Sequence, residues 1–140
     1  MSKLIYNQLA NHKLFNKSVK FGLKRIKLAL HLLGNPERKL KNVIQVLGES
    51  GKFTTLYSLK SFIEADKKNV TSHISPSLRD IRERFYIGKK YLSHKEIKYT
   101  IKTIERLRIP LSIFECLTLI YIINASKINA DYNIMETGAL

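Results

Sequence analysis

The chain has 140 residues, enough for one domain, and its 44% apolar content supplies a core and argues against global disorder. A formal charge of +14 raises nucleic acid or an anionic ligand as partner, although a Lys-, Ile- and Asn-rich bias is also what compositional drift produces. The single cysteine, Cys116, lies in an apolar run, so an internal disulfide is excluded, a Cys-ligated zinc site is disfavoured, and a reducing, cytoplasmic compartment is expected.

No membrane span is expected. The longest apolar stretch, Ile113–Ile123, contains Glu115 and Thr118 and is too short to cross a bilayer. Lys3, Asn7 and Gln8 interrupt any early signal-peptide core. Residues 1–36 lack Asp and Glu, a trait shared with organellar presequences. Ser18–Leu33 reads as a helix with Val19, Leu23, Ile26, Leu30 and Leu33 on one face and a basic stripe of Lys17, Lys20, Lys24, Lys27 and His31 on another. The stripe is a solvated face or a nucleic-acid contact. Gly34-Asn35-Pro36 stops the helix.

A strand at 43–47 precedes the glycine run Gly48-Glu49-Ser50-Gly51-Lys52-Phe53-Thr54-Thr55, and a helix from about Thr54 to Asp66 follows, with Leu56, Leu59, Phe62 and Ile63 inward. Strand, glycine loop with lysine, then helix is the layout of a phosphate-binding loop. Backbone N–H groups close around phosphate oxygens, the lysine adds charge, and a hydroxyl holds Mg²⁺. Phe53 stands where the common pattern has Ser or Thr, and the variant with one more residue, ending in Thr54, fits. The alternative is a plain glycine turn between strand and helix.

A short strand is expected at 70–74, then an irregular segment over 75–92. Ser93-His94-Lys95-Glu96 is a capping box opening a helix with Ile97, Ile101, Ile104 and Leu107 on its face. After Pro110, a helix over Ser112–Ser126 is apolar on most sides and hence buried, and Tyr132–Glu136 reads as a last strand. This alternation predicts an α/β domain with parallel strands.

Several landmarks, in order, resemble the N-terminal part of the folylpolyglutamate synthase/dihydrofolate synthase family, relatives of the Mur ligases. The family loop Gly-Thr-Asn-Gly-Lys-Gly-Ser is matched by Gly48, Gly51, Lys52 and Thr54, with Ser50 in place of Asn. Upstream, Gly22-Leu23-Lys24-Arg25-Ile26 and Leu33-Gly34-Asn35-Pro36 match. Downstream, Ser75-Pro76-Ser77-Leu78 with Glu83-Arg84, Phe114-Glu115 with Thr118, and Asp131-Tyr132 through Glu136-Thr137-Gly138 match. The resemblance covers residues 21–138 and implies a partial parallel sheet flanked by helices, a P-loop-containing, Mur-ligase-like ATPase domain.

It further implies ATP and Mg²⁺ as cofactors. Gly48, Ser50, Gly51, Lys52 and Thr54 would lie at the phosphates and Thr54 and Glu136 at the metal, while Ser75, Pro76, Glu83, Arg84 and Phe114 would lie at a folate or dihydropteroate substrate to which glutamate is joined through an acyl phosphate. Glu49 replaces a family Thr, Phe53 a Gly, and Ser77 a His. The family pattern continues well past the last residue here, so a truncated N-terminal ATP-binding domain, inactive alone or completed by a second polypeptide, is expected. A non-catalytic nucleotide- or partner-binding module is one alternative. A basic nucleic-acid-binding protein is another, disfavoured because the bases are dispersed and match no aromatic-interleaved basic motif.

Overall fold

The computed structural model describes residues 22–137 and, before them, Asn7. Helix α1 spans Lys24–Leu32, and a 3-10 turn at Pro36–Lys39 leads into β1, Val43–Val46. Then come α2 (Lys52–Ala65), β2 (Val70–His73), a 3-10 turn at Ile81–Arg84, β3 (Phe85–Ile87), α3 (His94–Glu105), α4 (Ile113–Ala125) and β4 (Tyr132–Glu136). The sheet order is β1-β4-β2-β3. β4 is central and parallel to both β1 and β2, with Val46 opposite Glu136 and His73 opposite Met135. β3 is antiparallel to β2.

The three expected parallel strands are present, and the α/β class holds. The segment 75–92 departs from expectation, because it contains a 3-10 turn and β3 and makes the sheet mixed. Phe85 and Ile87 are buried on either side of a half-buried Tyr86, a strand too short to stand out among its charged neighbours.

Period-two alternation divides the core between the two faces of the sheet. Val46, Val70, Ile74 and Ile134 pack with Leu56 and Ile63 of α2 on one face. On the other, Phe85 and Ile87 pack with α3 and α4, and Ala29 of α1 joins them. Ser93–Glu96 and Ser112–Glu115 form complete capping boxes at the starts of α3 and α4. α4 buries eight of its residues, among them Cys116, Leu117, Ile120 and Tyr121. Each buried Leu or Ile contributes roughly 1.5–3 kcal/mol relative to exposure, so this helix anchors the domain.

Two expected core residues lie outside. Leu23, at the start of α1, is 65% exposed, and Phe62 of α2 is 73% exposed. Lys60 occupies the inward face of α2 between Leu56 and Ile63. Its ammonium sits 3.9 Å from the Tyr86 ring centroid and 4.7 Å from that of Tyr57. The aliphatic stem is buried and the charge faces aromatic rings. Lys24, Lys27 and His31 are exposed. Lys17, Val19, Lys20 and the first turn expected from Ser18 lie outside the described residues, as does Gly138.

Candidate functional site

β1 ends at Val46 and the chain turns through Gly48 (φ 143) and Gly51 (φ 76), conformations that a side chain resists. Gly51 is the N-cap of α2, so the helix begins at Lys52, earlier than the expected Thr54. Parallel pairing of β1 with β4 sets Val46 beside Glu136, which brings the C-terminal end of β4 to the glycine loop. Lys52 Nζ donates to the Gly48 carbonyl at 2.6 Å and to that of Glu49 at 3.4 Å, and it lies 3.9 Å from Glu136 Oε1. Glu136 is buried at 7% exposure.

β2 delivers the second side of the site. Ser75 N donates to Glu136 Oε2 at 3.1 Å, and the Ser75–Pro76 bond is cis. Arg84, buried, donates from Nη1 to Ser75 Oγ at 3.0 Å. Glu83 Oε2 accepts from the N–H groups of Leu78 (2.7 Å) and Arg79 (3.1 Å), which shapes the 75–84 loop from within. Glu83 and Arg84 both brace this loop, one through its backbone N–H groups and the other through Ser75. Beneath it, the Arg84 carbonyl accepts from His73 Nδ1 at 3.0 Å. That bond fixes the tautomer, since a carbonyl only accepts. The His73 ring stacks between Phe85 and Tyr121. Burial lowers its pKa to about 4, so it is neutral at neutral pH.

Between the glycine loop and this segment lies an open cleft of about 360 Å³. Gly51, Lys52, Ser75, Pro76 and Glu136 line it, as do Glu49, Phe53 and Leu78. Its wall therefore carries two carboxylates against one ammonium. Gly48, Ser50 and Thr54 are exposed on the loop and the first turn of α2, outside that wall, and half-buried Glu83 is also outside it. Phe114, in the first turn of α4, is 61% exposed and lies outside the cleft lining. Among the described residues no cluster of three or more His, Cys, Asp or Glu is placed to hold a metal. No helix among them is long and apolar enough to cross a membrane.

Two arrangements here had no signal in the sequence. The His73 stack depends on β3, which pattern did not reveal. The tyrosine cluster of Tyr57, Tyr86 and Tyr91 around Lys60 joins α2 to the β2–β3 hairpin, with Tyr57 and Tyr91 hydroxyls 3.2 Å apart and the Tyr86 hydroxyl on Glu64. Of this cluster only Tyr57, Lys60 and Glu64 share one element, at helical spacing on α2.

No protein-family model matches the chain, and no curated protein sequence matches it. Solved structures do. A bifunctional folylpolyglutamate synthase/dihydrofolate synthase from Yersinia pestis, complexed with AMPPNP and Mn ion, matches with a TM-score of 0.86 and 27% identity over 97% of this chain and 33% of that one. E. coli FolC in complex with DHPP and ADP matches with a TM-score of 0.86 and 29% identity, over 97% and 33%. Folylpolyglutamate synthase from Thermotoga maritima matches with a TM-score of 0.79 and 25% identity, over 96% and 32%. The chain thus resembles folylpolyglutamate/dihydrofolate synthases in fold as well as in the order of its motifs, and it spans about a third of the length of these structures.

Proposed function

We propose that the chain carries the phosphate- and metal-binding part of an ATP-dependent ligase that joins glutamate to a folate-type carboxylate, and that alone it does not complete the ligation. The observation that carries this reading is the meeting of Lys52 and Glu136 at the C-terminal ends of β1 and β4, beside the Ser75 loop. In this reading Gly48, Ser50 and Gly51 present backbone N–H groups to phosphate oxygens, and Lys52 turns from its own loop carbonyls to the β- and γ-phosphates. Glu136 and the Thr54 hydroxyl are hard oxygen donors suited to Mg²⁺ or Mn²⁺. With one carboxylate and one hydroxyl from the chain, such an ion would draw its other ligands from phosphate and water, the usual habit of Mg²⁺ with nucleotides. When bound, ATP supplies the phosphoryl group that activates the substrate carboxylate.

The 75–84 loop would hold the folate or dihydropteroate side, through Ser75, Pro76 and the Glu83–Arg84 brace, with exposed Phe114 available to flank it. The chain spans about a third of the length of its structural neighbours, so in this reading the adenine and glutamate contacts come from residues outside these 140. A non-catalytic nucleotide-binding module is the second reading. It is favoured by Glu49 and Phe53 in the cleft wall, where one repels phosphate and the other fills space.

The deciding experiment is calorimetric titration with Mg-ATP, followed by incorporation of labelled glutamate into dihydropteroate or tetrahydrofolate. The assay is run with and without the remaining two-thirds of a folylpolyglutamate synthase. ATP binding with incorporation only in the complemented mixture supports the ligase reading. Binding without incorporation in either mixture favours the module, and turnover by the chain alone overturns the claim of incompleteness.

A further inference from the structure

Among the described residues, the positive charge is not gathered where the cleft lies. The cleft wall holds Glu49 and Glu136 against Lys52. At the other end of the sheet, a groove of about 400 Å³ is lined by Arg38, Lys39, Lys41 and Lys127, together with Ser126 and Asn129. Lys41 precedes β1 and Asn129 precedes β4, whereas the glycine loop and Glu136 lie at the far ends of the same strands. At about 3.3 Å per residue, β1 alone separates groove from cleft by on the order of 13 Å.

Among the described residues, the groove's four cations are only partly compensated. Lys41 Nζ donates to Asn129 Oδ1 at 2.8 Å and Lys127 Nζ to Asn124 Oδ1 at 3.2 Å, so both ammonium groups are oriented by amides that leave their charge intact. Glu37 Oε1, 3.9 Å from Arg38 Nε, offsets one charge. The neighbouring Asp131, which accepts from the Asn69 N–H at 2.8 Å and keeps its charge, offsets a second in part. Lys127 follows the C-terminus of α4, where a cation is favourable on its own account. That explains one of the four cations and not their convergence from two separate segments, 38–41 and 126–129. Repulsion among them is relieved by an anion able to touch several at once.

We propose that this groove is a binding site for a linear oligophosphate, taken either as a free polyphosphate or as the backbone of single-stranded nucleic acid. Binding rests on charge and amide hydrogen bonds, so it is independent of base sequence and falls steeply with salt.

The test uses the full chain and two probes, tripolyphosphate by calorimetry and a fluorescently labelled mixed-sequence DNA oligonucleotide by anisotropy. Three variants accompany the wild type: Arg38→Gln/Lys41→Gln/Lys127→Gln in the groove, Lys24→Gln/Lys95→Gln/Lys102→Gln at exposed positions elsewhere, and Lys52→Gln in the cleft. The groove variant is expected to lose about tenfold or more in affinity and the surface control to stay within about twofold, while Lys52→Gln stays within about twofold for DNA and weakens only the tripolyphosphate taken by the cleft. Weakening of both probes identifies a nucleic-acid backbone, and weakening of tripolyphosphate alone identifies a free polyphosphate; both support the site. No binding by the wild type, equal losses in the groove and control variants, or a loss confined to Lys52→Gln would overturn it. The last result would place the phosphate in the cleft instead. If the groove triple does not fold, as read by circular dichroism, the single Lys39→Gln replaces it. An affinity about two- to threefold weaker is then expected, and an unchanged one refutes the site.

Discussion

Lys52 and Glu136 face one another across 3.9 Å, from residues 84 positions apart, because β1 and β4 pair in parallel with Val46 opposite Glu136. The ammonium is also held by the Gly48 carbonyl, and the carboxylate by the Ser75 N–H. Glu136→Gln keeps an oxygen for Ser75 while removing the charge. With Glu136 as a metal ligand, the variant is expected to bind Mn²⁺ in the presence of ATP about tenfold more weakly, read by electron paramagnetic resonance. An unchanged Mn²⁺ affinity removes Glu136 from the metal site. The fold should survive, since the pair is replaced by a neutral hydrogen-bonding group, and a small change in melting temperature is expected.

Glu49 and Phe53 line the same cleft as Lys52. At about 4 Å, a like-charge pair near a protein surface costs roughly 1–4 kcal/mol, and solvent screening of the exposed Glu49 brings this toward the lower figure. Glu49→Thr combined with Phe53→Gly is therefore expected to tighten Mg-ATP binding about five- to tenfold in calorimetry. A glycine in the first turn of α2 costs the helix up to about 1 kcal/mol, so the gain in affinity should come with a lower melting temperature. Equal or weaker binding by the double variant would show that neither residue opposes the nucleotide.

The order of motifs carried more of this molecule than periodicity did. The capping box at Ser93, the glycine loop and the three parallel strands were legible because each depends on local residue types. The partnership of Arg25 with Glu115, 3.3 Å apart, ties two of the sequence landmarks together, although nothing in either motif names the other. What failed were decisions made by tertiary context. Phe62 and Lys60 exchange the places expected of them, because the three tyrosines near Lys60 come from α2, β3 and the segment beyond it. β3 is three residues long, and its burial depends on α4 being there to cover it. The basic groove draws on two segments far apart in sequence, neither remarkable in a chain this rich in lysine.

Within the core, Thr71 Oγ1 donates to Asn133 Oδ1 at 2.6 Å, so the Tyr121 hydroxyl, 2.7 Å away, must donate to Thr71. Asn133 in turn donates to the Lys41 carbonyl at 2.6 Å. Tyr121→Phe removes one donor and leaves Thr71 bonded to Asn133, at an expected cost of about 1 kcal/mol. Thr71→Val strands both the Tyr121 hydroxyl and an Asn133 oxygen in a buried site, so about 2–3 kcal/mol is expected. Urea denaturation of the two variants checks the order. Equal losses would mean that the three groups do not form a chain of donors.

His73 gives the fold a dependence on acid. Its pKa in the folded chain is lowered to about 4 from 6.5, chiefly by burial, while the nearby Arg84 charge lowers it further and the hydrogen bond to the Arg84 carbonyl opposes the shift. With the folded pKa below the unfolded one, the unfolded chain takes up its proton first as pH falls. The full stability of the neutral ring is therefore present above about pH 6.5 and is lost progressively down to about pH 4, by roughly 3 kcal/mol in all. Glu96 acts in a lower window. Its capping-box bonds to Ser93 hold its pKa near about 2, so its contribution is present above about 4.5 and fades below. His73→Gln keeps a donor for the Arg84 carbonyl and cannot titrate. Its melting temperature at pH 7 is expected to be lower than that of the wild type, since the stack on Phe85 and Tyr121 is weakened. Between pH 6.5 and 4.5, however, its melting curve should be the flatter of the two. Parallel slopes across that interval would mean that His73 is protonated in the folded chain as readily as in the unfolded one, and that the ring is not sealed between β3 and α4.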